Sequence, residues 1–186
     1  MMKSYQNEKQ NDMGKRKVGL KKMLRLILSA ALLFNALQGY SQTCEVTLRN
    51  DTLIDANNLE VDIYVRATSG TFYYSWGQYK ISFNSAVVNG GSIAVEIVPG
   101  YSDLTNSIQL PASLIGGTTS WRATSGTIPA NQADCSQISG TGYGTRICRV
   151  RINNTAPFGQ ASANMNVVTT APNATAVYYS DAGGFS

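Results

Sequence analysis

Apolar and polar residues alternate with a period of two along most of residues 42–186. Cys44, Val46 and Leu48 share one parity, with Glu45, Thr47 and Arg49 on the other. Leu59, Val61, Ile63 and Val65 alternate with Glu60, Asp62, Tyr64 and Arg66, and Tyr79, Ile81 and Phe83 with Gln78, Lys80 and Ser82. Ile93, Val95 and Ile97 form another set, as do Cys148, Val150 and Ile152 against Arg149 and Arg151. This is the pattern of strands with one face in a core. Weaker runs at Ser107–Leu110, Thr119–Ala123, Met165–Thr169 and Ala176–Tyr179 predict further strands. Clusters such as "NGG", "PGYSD", "IGGTT" and "SGTGYG" predict the turns between them. No helical period intervenes. The expected fold is all-β: an antiparallel two-sheet β-sandwich of about nine strands, with immunoglobulin-like and jelly-roll connections both open.

Two features test that reading. The hexapeptide "RATSGT" occurs at Arg66–Thr71 and again at Arg122–Thr127. A phosphate loop would need a following helix and usually a Lys, whereas "FYYSW" and "IPANQ" follow here. The flanks do not match, so one turn used twice is expected, with Gly supplying the reversal. The aromatic run "FYYSWGQY" could stack on sugars or anchor a partner. A bulge at Gly77 would instead join Phe72, Tyr74 and Trp76 to Tyr79 on one inward face, leaving Tyr73 and Tyr64 outward as candidate ligand contacts.

Charge changes the picture only at the N-terminus. The whole chain carries 15 Lys/Arg, 11 Asp/Glu and a formal charge of +4. Residues 1–41 hold eight basic and two acidic side chains, and the rest seven basic and nine acidic. A nucleic-acid partner is therefore not indicated. The order "KRKVGLKK", "LILSAALLF", Gly39-Tyr40-Ser41 reads as a secretory signal, with cleavage between Ser41 and Gln42 and a true start at Met13 or Met23. Its apolar run is shorter than the ~18–20 residues of a spanning helix, so membrane contact is expected only during export. The domain is expected over residues 42–180, with 181–186 opening a linker.

Catalytic chemistry is poorly served. The chain has no His, which removes His-based triads and His metal sites. Asp51, Asp55, Asn57 and Asp62 could contribute oxygens to calcium, but the segment lacks the Gly and terminal Glu of an EF-hand loop, and a polar turn is expected instead. No cofactor is expected. Export permits disulfides, and Cys135 and Cys148 are the expected pair, leaving Cys44 over.

"LEVDIYVRATSGTFYYSWGQYKISFNSAVV" and "GTRICRVRINNTAPF" resemble the N-terminal cohesin-like or carbohydrate-binding-module-like domain of proteins exported by the type IX secretion system. The resemblance implies a cohesin-like sandwich delivered to the cell surface or beyond. It implies a non-catalytic binding or adhesion module, the N-terminal part of a larger protein, meeting a surface glycan or protein. The alternative is a carbohydrate-binding module attached to a polysaccharide-degrading enzyme.

If residues 15–41 direct export, the mature chain begins at Gln42. Intact-mass and N-terminal analysis of exported material checks this, and a product retaining Lys3 would overturn it.

Overall fold

The computed structural model describes residues 42–105, 109–115, 119–125, 131–181 and 184–185. The expected signal segment and Ser41 lie outside them. The alternating runs become β1 (Thr43–Leu53), β2 (Asn58–Ser69), β3 (Phe72–Ser82), β4 (Ile93–Val98), β5 (Gln109–Leu114) and β6 (Ser120–Ser125). There follow β7 (Ser136–Ile138), β8 (Thr145–Asn154), β9 (Asn166–Val167), β10 (Ala176–Asp181) and β11 (Gly184–Phe185). One antiparallel sheet has the order β1-β2-β8-β4. The other runs β11-β10-β3-β6-β5, with β7 and β9 also paired to β3. The all-β, two-sheet class is as the alternation predicts. β7 adds a strand too short for its period to show, and β11 pairs back on β10 where composition reads as a linker.

The core lies between the inner faces. Val61, Ile63 and Val65 of β2 and Val150 and Ile152 of β8 come from the first sheet. Tyr79, Ile81, Trp121 and Ala123 come from the second. Each aliphatic side chain buried this way contributes about 1.5–3 kcal/mol. Both hexapeptide copies fit this plan. Ala67 and Ala123 are buried at 9% and 1% exposure, and Arg66 and Arg122 point away from the core. In the first copy Gly70, at φ 66°, carries the chain from one sheet to the other. Gly126 of the second lies outside the described residues.

β3 departs from expectation at one point. Its irregularity falls at Ser75, not Gly77: Tyr178 stands opposite Trp76 while Tyr179 stands opposite Tyr74. Phe72, Tyr74, Gly77, Tyr79 and Ile81 therefore face inward, and Trp76 faces outward with Gln78 and Lys80. The physical reason is space. A Cβ at Gly77 would lie 2.5 Å from both the Tyr74 and Tyr79 hydroxyls. The Tyr79 hydroxyl donates to that of Tyr74 at 3.1 Å. Only a residue without a side chain fits inward there, so the indole is turned out.

The outer face of the first sheet carries a buried ion-pair ladder. Register sets Arg49, Asp62 and Arg149 in one row and Glu60, Arg151 and Glu96 in the next. Arg149 donates to both Asp62 oxygens, from Nε at 2.7 Å and Nη2 at 2.9 Å. Arg151 donates to Glu60 from Nη2 at 2.6 Å and Nε at 2.9 Å. Asn50, at φ 55° in the β1 irregularity, adds an Nδ2 donor to Asp62 at 2.8 Å. Tyr101 covers the row, with the Arg149 guanidinium 4.1 Å from its ring centre. Burial alone would raise the Asp62 carboxyl. Hydrogen bonds from Arg149 and Asn50, with the charges of Arg149 and Arg146, outweigh burial and hold it below the ordinary range. The Asp62 bond in turn raises the Arg149 guanidinium.

Two outcomes follow. A carboxyl depressed on folding contributes stability that is present above its unfolded pKa of about 3.9 and lost as pH falls through its folded value. The thermal midpoint should hold above about pH 4 and fall below it. Asp62→Asn should cost roughly 3 kcal/mol at neutral pH by leaving Arg149 without its carboxylate, and should flatten the acid limb. Gly77→Ala should cost about 1–3 kcal/mol by overpacking, and Tyr79→Phe in the same chain should return part of that loss. Denaturant titration of the single and double variants measures both effects.

Candidate functional site

The outward residues of the second sheet come together from three strands. Trp76, Gln78 and Lys80 follow one another along β3 at every second position. On β6, Arg122 stands opposite Lys80 and Thr124 opposite Gln78. On β10, Tyr178 stands opposite Trp76. The Trp76 and Tyr178 rings meet at 5.0 Å between centres, inclined by 51°. Tyr178 is 44% exposed and Trp76 half-buried, so the pair presents aromatic surface to solvent while each ring holds the other.

Neighbouring groups fix the polar members. The Gln78 amide nitrogen donates to the Ala174 carbonyl at 3.1 Å, and its oxygen accepts from Arg122 Nη1 at 3.5 Å. Lys80 Nζ donates to the Pro172 carbonyl at 3.0 Å. Thr175 anchors the segment that supplies these carbonyls. Its hydroxyl accepts from the Lys80 backbone N–H at 3.0 Å and donates to the Lys80 carbonyl at 3.2 Å. The acceptors that hold Lys80 and Arg122 are neutral, and neither cation has a carboxylate partner among the described residues.

Tyr64 and Tyr73, the outward tyrosines expected from parity, do point away from the core, but from different sheets. Tyr64 meets Tyr143 edge-on at 6.2 Å between ring centres. Tyr143 also lies under the Arg49 guanidinium at 4.4 Å. Tyr73 is half-buried on β3, with Gln137 and Ser180 in register on either side. The structure does not bring the two together. Trp76 and Tyr178 are what parity missed. The signal was Gly77, whose missing side chain marks where two tyrosines converge.

The remaining candidates have structural work. Cys135 and Cys148, the expected disulfide pair, are both free thiols, as is Cys44. Cys148 faces the core from the middle of β8, in the first sheet. Cys135 leads into β7, which pairs with β3 in the second sheet, and its thiol points to the Asn131 carbonyl at 3.7 Å. The intervening loop is held by the Ser139 N–H on Thr145 Oγ1 at 2.9 Å and the Ala67 N–H on the Ser139 carbonyl at 3.1 Å. Burial pushes the Cys148 thiol up to about 12, which removes it as a nucleophile at neutral pH. Asp55 closes the β1–β2 turn, accepting from the Asn57 N–H at 2.8 Å and from the Asn58 amide. Asp62 is committed to Arg149. Of the four oxygen-bearing residues weighed as calcium ligands, Asp55 and Asp62 have their carboxylate oxygens turned to protein donors.

A cleft of about 610 Å³ opens between β4 and β5, lined by Val95, Ile97, Pro99, Pro111 and Cys148 among others. It is largely apolar, and the protonated Cys148 thiol lies in its wall. It offers few of the convergent donors that orient a ligand.

No protein-family model matches this sequence, and no curated protein does. Among solved structures, a cohesin module from a Clostridium perfringens ATCC13124 family 33 glycoside hydrolase aligns at a TM-score of 0.39 and 7% identity, over 77% of this chain and 85% of that one. The endoglucanase CelQ of Clostridium thermocellum aligns at the same TM-score. Its cellotetraose complex matches at 12% identity over 71% of this chain, and its cellotriose complex at 14% over 77%. In both, the aligned part is 24% of the enzyme.

Proposed function

We propose that this chain is an exported, non-catalytic recognition module that binds through the outer face of its second sheet. The observation that carries the reading is the Trp76–Tyr178 pair, an aromatic platform on a strand face with donors beside it. Export rests on the basic–apolar–small order of residues 15–41. The non-catalytic reading is supported by the two buried acids. Glu60 and Asp62 lie two positions apart on one face, yet both are bound by arginines and unavailable as an acid–base pair across a bond. Delivery by the type IX route and service within a larger surface protein remain part of the proposal, on the sequence resemblance described above. Of the two binding roles, carbohydrate recognition is favoured over adhesion to a protein. Ring faces of this kind stack on the C–H faces of sugars, and hydroxyl and amide groups surround them.

The test is a glycan microarray read with wild type and three variants. Trp76→Ala and Tyr178→Ala should each lose about tenfold to a hundredfold in binding, the range of about 1.4–2.8 kcal/mol. Their stability should fall by about 1 kcal/mol, well short of the 3–5 expected for a large aromatic in a core. Tyr64→Ala, on the other sheet, should leave binding unchanged. Binding that survives both Trp76→Ala and Tyr178→Ala would sink this assignment of the face.

A further inference from the structure

We infer that the ligand of this face is an acidic polysaccharide, a chain of uronate sugars laid along β3. The inference rests on the reading of the face as a glycan-binding surface and adds the chemistry of what it binds. Residues 42–186 hold seven basic side chains. Four of them, Arg66, Arg146, Arg149 and Arg151, are paired with carboxylates on the first sheet. Arg49 lies over the Tyr143 ring on that same sheet. The two on the second sheet, Lys80 and Arg122, have no carboxylate partner among the described residues. They stand directly opposite each other across β3 and β6.

Like charges placed opposite one another on a sheet repel. Residues 42–186 have two more acidic than basic side chains, so the surplus positive charge here is local and does not follow from composition. An anion seated between the two cations would remove the repulsion. The Arg122 guanidinium offers a planar fork that matches a carboxylate, with the Lys80 ammonium as a point charge beside it. Lys80 Nζ donates to the Pro172 carbonyl and Arg122 Nη1 to the Gln78 amide oxygen, neutral acceptors both.

Spacing extends the argument from an anion to a chain. Trp76 and Lys80 are four residues apart on one strand, about 13 Å. The aromatic pair and the cation pair therefore meet different units of one extended ligand. Gln78 and Thr124 lie between them, an amide and a hydroxyl able to reach ring hydroxyls. An acidic protein partner would be expected to meet a desolvated apolar centre with a polar rim. Here the outward positions between the two ends are Gln78, Thr124 and the small Ala176, with no large apolar side chain among them.

The decisive experiment is affinity electrophoresis of the exported chain in gels holding polygalacturonate, dextran sulfate or hydroxyethylcellulose. A fluorescent poly-glutamate peptide is titrated in parallel. Polygalacturonate should be bound at least tenfold more tightly than the neutral glucan, and added salt should weaken it. Lys80→Gln and Arg122→Gln should each reduce polygalacturonate binding about tenfold with an unchanged thermal midpoint, and Trp76→Ala should reduce it as well. If hydroxyethylcellulose binds as tightly, is lost in Trp76→Ala and is indifferent to Lys80→Gln and Arg122→Gln, the recognition face stands and the acidic ligand falls. Preference for dextran sulfate would overturn the carboxylate. Retention of none of the three polysaccharides, with poly-glutamate bound through Lys80 and Arg122, would overturn the polysaccharide altogether.

Discussion

Tyr74 and Tyr79 meet hydroxyl to hydroxyl above Gly77, and this contact sets the phase of the central strand of the second sheet. Two phenol rings entering the core from one strand need room where their polar ends converge. Glycine supplies it. Because Gly77 takes an inward position, the irregularity in β3 must fall before it, at Ser75, and Trp76 must turn out. The partner strand follows suit: Tyr179 packs inward against Phe72 at 5.3 Å between ring centres, while Tyr178 meets Trp76 outside. A packing requirement inside the sandwich thus decides which aromatic surface is presented outside it. Burial also pushes the Tyr79 phenol well above the ordinary tyrosine range and so disfavours its ionisation.

The two outer faces differ in how they treat charge. On the first sheet, carboxylates of β2 face arginines of β8 across one strand spacing, and the arginines satisfy them with two donors each. Such pairing gives geometric specificity and little net stability, because desolvation offsets most of the Coulombic gain. Its effect is to fix the β2–β8 register while tying the charges of Glu60, Asp62, Arg149 and Arg151 to one another. The second sheet has the opposite character. Its two cations, Lys80 and Arg122, are oriented by neutral acceptors and have no carboxylate partner among the described residues. A surface that keeps like charges adjacent is poised toward an anion, and one that neutralises them internally is not.

Much of the fold was legible from parity alone. β2, β4 and the Cys148–Ile152 part of β8 alternate over one buried face and appear where the period places them, while adjacent Ile147 and Cys148 are both buried at a register shift. Parity failed where a single residue breaks the count. The Ser75 irregularity reverses the phase between Tyr74 and Trp76, so carrying the phase of Phe72 and Tyr74 forward to a bulge at Gly77 put Trp76 on the wrong face. The Gly inside the run did mark a special position, but as a close approach of side chains and not as the bulge itself. β7 and β9, three and two residues long, are too short for a period. They exist because β3 offers free edges beside β6 and β10. The cysteine pairing failed for a different reason. Sequence proximity suggested a closed loop, whereas the chain passes from the second sheet at β7 to the first at β8, so Cys135 and Cys148 lie at different sheets.

The repeated hexapeptide shows why the candidate site was harder to read than the fold. Over the described residues the two copies of "RATSGT" share one local structure, with Ala inward, Arg outward and Thr-Ser in the last strand positions. The two arginines nonetheless have opposite fates. Arg66 finds Glu45 on the neighbouring β1, and the pair is spent. Arg122 finds Lys80 on β3 and Ser113 on β5, and no carboxylate among the described residues. Local sequence sets the direction a side chain points, through a two-residue period that any strand obeys. Whether the charge it carries is satisfied depends on strands distant in sequence, and on register set by bulges that parity does not reveal. A binding face is therefore a property of pairing. It appears only once the neighbours across each strand are known, as an excess of one chemical character that no neighbour cancels.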